Sequence, residues 1–75
     1  MSKIYKHQEH IIAPSPGKTE DGRYTASGSI YPEGYPEQGK FFDMITIVPK
    51  SFSSSEKATD IFIAFAKLRI ASGAL

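Results

Sequence analysis

Apolar positions along the chain change their spacing once. From residue 4 to about residue 48, apolar and polar residues alternate in short runs broken by glycine and proline; from about 54 they recur every three or four residues. A period of two marks half-buried strands, and a period near 3.6 marks an amphipathic helix. Three runs read as strands: "IYKHQEHIIA" over 4–13, a second over 23–31, and "KFFDMITIV" over 40–48. Pro14, Pro16 and Gly17 end the first, since proline cannot donate to a ladder and glycine opens turn conformations. "KTEDG" carries the chain to the second, "PEGYPEQG" forms the next loop, and Pro49 stops the third.

The final segment, "SFSSSEKATDIFIAFAKLRIAS", predicts a helix over about 54–71. Ser53 followed by Glu56 reads as a capping box, in which each side chain satisfies a backbone N–H at the helix start. Ala58, Ile61, Phe62, Phe65, Ala66 and Leu68 make the apolar stripe, with Glu56, Asp60, Ala64, Lys67 and Ala71 opposite and Gly73 as the stop. The order β-β-β-α in one small domain, 1–75, predicts an α+β fold: a three-stranded antiparallel sheet with the C-terminal helix packed across it.

Alternation assigns faces. On the second strand Tyr24, Ala26, Gly28 and Ile30 share the side expected to meet the helix, and Arg23, Thr25, Ser27, Ser29 and Tyr31 share the other. Small residues opposite large ones let two layers interdigitate, so Ala26 and Gly28 read as a floor for Phe62 and Phe65. On the third strand Phe42, Met44, Thr46 and Val48 are expected inward, because that set has no charge to bury; Phe41, Asp43, Ile45 and Ile47 then face out. With Ile63 and Ile70 to one side of the helix stripe, the apolar arc is broader than one neighbour needs. Phe41, Ile45, Ile47, Ile63, Ile70 and Arg69 form the expected interface, for a homodimer or a protein partner. Arg69 falls within that arc, either laying its stem over apolar surface near the negative end of the helix or forming an ion pair across an interface, with Asp43 or a glutamate of a second copy.

Composition narrows the function classes. A chain of 75 residues builds a thin core. It has no cysteine, so neither a disulfide framework nor a thiolate zinc site is available. Nine basic against eight acidic residues leave a net charge of +1, without the basic excess that phosphate backbones select. No apolar run approaches the roughly 18 residues of a membrane span. The polar start "MSKIYKHQEH" lacks the apolar core of a secretory signal, and a cytoplasmic location is expected.

Candidate chemistry is sparse. His7 and His10 form H-x-x-H around Glu9, but on one continuous strand an odd separation sends the rings to opposite faces, so no metal site is expected. "PSPGKT" ends like a phosphate-binding loop, yet Ile12 stands where the motif needs glycine and no helix follows. Ser51 and Ser53 to Ser55 lack a nucleophile elbow, and helix capping accounts for Ser53. Neither catalytic residues nor a cofactor motif is found, and the chain is read as no enzyme. The row Arg23, Thr25, Ser27, Ser29, Tyr31 is the alternative binding surface, an arginine and an aromatic able to contact phosphate and base, against the plain reading of a solvated sheet face.

"DGRYTASGSIYPEG", the aromatic third strand and "FSSSEKATDIFIAFAKLRI" resemble a group of short proteobacterial β-β-β-α proteins of uncharacterised function, through the strand with its Asp-Gly-Arg-Tyr start and through Phe52, Ser54, Glu56 and Ala58 at the helix start. The match spans about residues 5–71 and implies a bacterial origin, with no catalytic residues to carry over. More distantly the order is similar to the opening of HicB-like antitoxin domains, which implies a toxin-neutralising role; the strand and second helix that follow there are missing here. The expected function is therefore protein–protein binding with self-association. A nucleic-acid-binding regulatory module and an antitoxin-like domain are the alternatives.

Overall fold

The computed structural model describes residues 4–44 and 50–73. Among these residues six short strands and one 3-10 turn, Pro36–Gln38 between β5 and β6, precede one α-helix: β1 (Tyr5–His7), β2 (His10–Pro14), β3 (Gly17–Lys18), β4 (Tyr24–Thr25), β5 (Ser27–Pro32), β6 (Lys40–Asp43) and α1 (Ser55–Ala71). The α+β architecture with a C-terminal helix is as expected, but the antiparallel sheet has four strands, in the order β1-β2-β5-β6. β3 and β4 form a separate two-stranded ribbon.

The extra strand arises inside the expected strand 4–13. Gln8 and Glu9 have φ of 47° and 64°, and the chain reverses so that Tyr5 pairs with Ile12 and His7 with His10. Positive φ at both central residues gives the twist that a two-residue hairpin needs, and Asn-Gly normally supplies it. Here two long side chains hold a conformation that costs about 1–2 kcal/mol per non-glycine residue. Glu9→Gly is accordingly expected to raise stability by about 0.5–1 kcal/mol, after the greater flexibility of unfolded glycine is set against the relief. A thermal melt with an unchanged or lower midpoint would contradict the left-handed turn.

The expected strand 23–31 is also interrupted. It breaks at Ala26 between β4 and β5, and the Ala26 carbonyl accepts instead from the Met44 N–H at 2.9 Å. The inward set survives the break: Ala26, Gly28 and Ile30 are buried, and Tyr24 packs against the core. On the third strand Phe42 and Met44 pack inward while Phe41 and Asp43 are exposed, as expected. Ile45, Thr46, Ile47 and Val48, the rest of that expected strand, lie outside the described residues.

Helix α1 is capped one residue later than the sequence suggests. Ser54, with extended φ and ψ of −135° and 150°, accepts through its hydroxyl from the Lys57 N–H at 3.1 Å, and Ser53 is exposed. Gly73, at φ 69°, stops the helix as expected. The buried row is Ala58, Phe62, Ala66 and Ile70, four residues apart at each step. Two members of the expected pattern change places. Leu68 is 73% exposed and Ile70 is buried. At 3.6 residues per turn Leu68 lies about 140° from the centre of that row, so a sheet meeting the row leaves it outside. Phe62 seats over Gly28, its Cε2 2.7 Å from where a Cβ would stand. Phe65 is half-buried and packs edge-on to Phe42.

Segment 50–52 is fixed to β4 at the helix start. Tyr24 and Phe52 exchange both backbone hydrogen bonds, at 2.8 and 2.7 Å, and Phe52 closes that end of the core.

Candidate interaction surface

With α1 on one side of the sheet, the opposite side follows from register. Lys6, Ile11 and Tyr31 form one cross-strand row; Ala13, Ser29 and Phe41 form the next. Each is one position out of step with a residue buried toward the helix, or is paired with such a neighbour, so all six project outward. Ile11, Ala13, Ser29 and Tyr31 are half-buried, and Phe41 is 63% exposed. Ser27 pairs with Asp43 in a third row, where the chain at Ser15 to Gly17 folds over the sheet: the Ser27 hydroxyl donates to the Ser15 carbonyl at 2.7 Å. The result is a small apolar centre of Ile11, Ala13, Tyr31 and Phe41. At its edge Lys6 pairs with Glu33 at 3.0 Å, an exposed ion pair that adds little stability.

The structure redistributes the interface residues expected from sequence. Phe41 is on this surface. Ile70 is in the core and Ile63 packs against it, so neither belongs to an outer patch. Ile45 and Ile47 lie outside the described residues. The Arg69 guanidinium lies over Phe42 at 5.1 Å and over Phe65 at 5.5 Å, a cation–π arrangement beside a shallow cleft lined by Phe65, Leu68 and Ser72. It covers the open flank of the core on the helix side. Ile11 and Ala13 join the surface although the alternation of the first strand alone did not assign their faces. Their faces follow from the burial of Ile12 between them, which the pairing with Ile30 sets.

The row Arg23, Thr25, Ser27, Ser29, Tyr31 does not form one open strip. Arg23 and Thr25 flank or belong to β4, in the other sheet. The Arg23 Nε donates to the Ser51 hydroxyl at 2.8 Å and its Nη2 to the Ser51 carbonyl at 3.0 Å. Ser27 is 3% exposed. Ser29 and Tyr31 remain on the outer face. Close to Arg23, the Thr19 hydroxyl donates to the Asp21 carboxylate and holds that carboxyl below the usual range.

No described helix is long and apolar enough to cross a membrane, and no group of three or more His, Cys, Asp or Glu side chains gathers at one point among the described residues. No family model, curated protein or solved structure matches the chain.

Proposed function

We propose that this chain is a non-enzymatic binding domain that self-associates through the outer face of its sheet, laying Ile11, Ala13, Tyr31 and Phe41 against the same residues of a second copy. The observation that carries this reading is the one-sided cover of the sheet among the described residues: α1 packs on one side of the four strands, and the other has an apolar centre around a protruding Phe41. Two sheets stacking face to face would cover the side that α1 leaves open and add to the thin core of a short chain. A self-complementary patch of this kind closes into a two-fold dimer.

Light scattering behind a sizing column, at rising concentration, tests it. The wild type is expected to move from monomer to dimer. Phe41→Glu is expected to remain a monomer with an unchanged circular dichroism spectrum, because the buried charge would face its own copy across the two-fold axis. A strict monomer at the highest attainable concentration, or a Phe41→Glu variant that dimerises like the wild type, overturns the proposal. A nucleic-acid reading has less support, with Arg23 committed to Ser51 and Ser27 covered. An antitoxin-like role would use the same apolar face against a different chain, and stoichiometric capture of that chain by the wild type but not by Phe41→Glu would favour it over self-association.

A further inference from the structure

The β1–β2 hairpin faces two histidines toward one another. His7 and His10 are direct partners across the antiparallel pair, one on each side of the Gln8–Glu9 turn. Directly opposed residues project to the same side of the sheet, with Cβ atoms about 4.5–5.5 Å apart. The geometry expected of a continuous strand is thereby reversed: the odd separation that would part the rings brings them together once the chain turns between them. Both residues are half-buried. His10 is in step with buried Ile12 and Pro14, so the pair sits on the helix side of the sheet, away from the surface proposed for self-association.

A second observation concerns the state of one ring. His10 Nδ1 lies 3.0 Å from the Gln8 carbonyl oxygen. A carbonyl only accepts, so Nδ1 carries a proton, and in the neutral ring the lone pair is on Nε2. Metal-ligating histidines are held in this way, with a backbone carbonyl on the second ring nitrogen fixing tautomer and orientation. The Glu33 carboxylate is ion-paired at 3.0 Å with Lys6, a residue of the opposite face of the hairpin.

We infer that His7 and His10 form a two-histidine chelate for a divalent transition-metal ion of the zinc, nickel or copper class. Imidazole suits these ions, and metal–nitrogen bonds of about 2.0–2.1 Å for zinc are within reach of two rings on directly opposed residues. No third His, Cys, Asp or Glu joins the pair among the described residues. The remaining coordination positions therefore belong to water or an exchangeable ligand, which makes the site an open and exchanging one and not a closed structural centre.

Titration of the wild-type protein with zinc chloride tests this, followed by calorimetry and by the imidazole resonances in nuclear magnetic resonance. Resonances of both His7 and His10 are expected to move together and to saturate at one equivalent. His7→Asn and His10→Asn should each weaken binding by about tenfold or more, since loss of even an outer-shell partner of a bound histidine costs roughly 10–100-fold. The double variant Lys6→His, His7→Lys keeps two histidines but moves one ring to the other face, and it should lose as much. A wild type in which only one histidine responds, or which binds no more tightly than the single variants, overturns the inference. So does a rearranged double variant that binds like the wild type. The wild-type resonances decide the matter even if a variant fails to fold, and the outcome does not depend on whether the protein dimerises.

Discussion

Phe62→Ala is expected to remove about 3–5 kcal/mol of folding stability, the usual range for deleting a fully buried phenylalanine. A domain of 75 residues holds about 4–11 kcal/mol in total, so the variant keeps little margin or none. The size of the effect comes from position. Phe62 is 0% exposed, the largest fully buried side chain in the core, and it spans the contact between α1 and the centre of the sheet. Around it stand Ala58 and Ala66, which cannot swing into the space, and Ile12 and Ile30, which are fixed by strand pairing. The cavity would stay open, and the cost of an open cavity adds to that of the lost burial. Urea denaturation followed by circular dichroism measures the loss. Phe65→Ala provides the comparison: its half-buried ring should cost distinctly less. Equal losses at the two positions would mean that the helix does not meet the sheet along the row described.

Gly28→Val is expected to cost about 3 kcal/mol, at the upper end of the range for overpacking. A Cβ at this position would stand 2.6 Å from the Ala13 carbonyl oxygen, 2.7 Å from Phe62 Cε2 and 2.8 Å from the Pro14 Cα. Two of these three atoms are backbone and cannot rotate away. Strand β2 would have to retreat from its partner β5, to which it is hydrogen-bonded along the same stretch. A double-mutant cycle separates the causes. Gly28→Ala should cost less in a Phe62→Leu background than in the wild type, because the ring contact is relieved. It should still cost something, because the main-chain contacts remain. A Gly28→Val melt indistinguishable from the wild type would exclude the seating of Phe62 over this residue.

The legible parts of this fold are those that local pattern determines. Phe62 sits over Gly28 because a bulky residue at helical spacing needs a hollow, and the second strand offered one. The helix ended at Gly73 because a left-handed residue there suits glycine. Where local pattern is silent, the structure departs from it for identifiable reasons. The turn at Gln8–Glu9 uses two residues with no preference for positive φ, so the sequence over 4–13 carries the pattern of one strand where the chain forms a hairpin. The break at Ala26 follows from a hydrogen bond to Met44, and the engagement of Arg23 follows from Ser51; both are contacts between distant parts of the chain that periodicity does not encode. Leu68 and Ile70 exchanged roles because the stripe could be centred in more than one way until the sheet chose a row. The candidate surface was half-readable on the same grounds. Phe41 is outward on the pattern alone because it shares a strand face with the charged Asp43, whereas Ile11 and Ala13 acquire a face only through the pairing of Ile12 with Ile30.

The row Ala58, Phe62, Ala66, Ile70 has a consequence for how the helix is held in place. Residues four apart along one ridge are nearly equivalent, and a uniform ridge could slide along its groove by one turn, about 5.4 Å, and bury the same surface. Small and large side chains alternate here, so such a slip would drive a phenylalanine into a space shaped for alanine and leave the hollow at Gly28 vacant. The alternation works like the notches of a key: it admits one axial setting of the helix and makes each adjacent setting either a clash or a void.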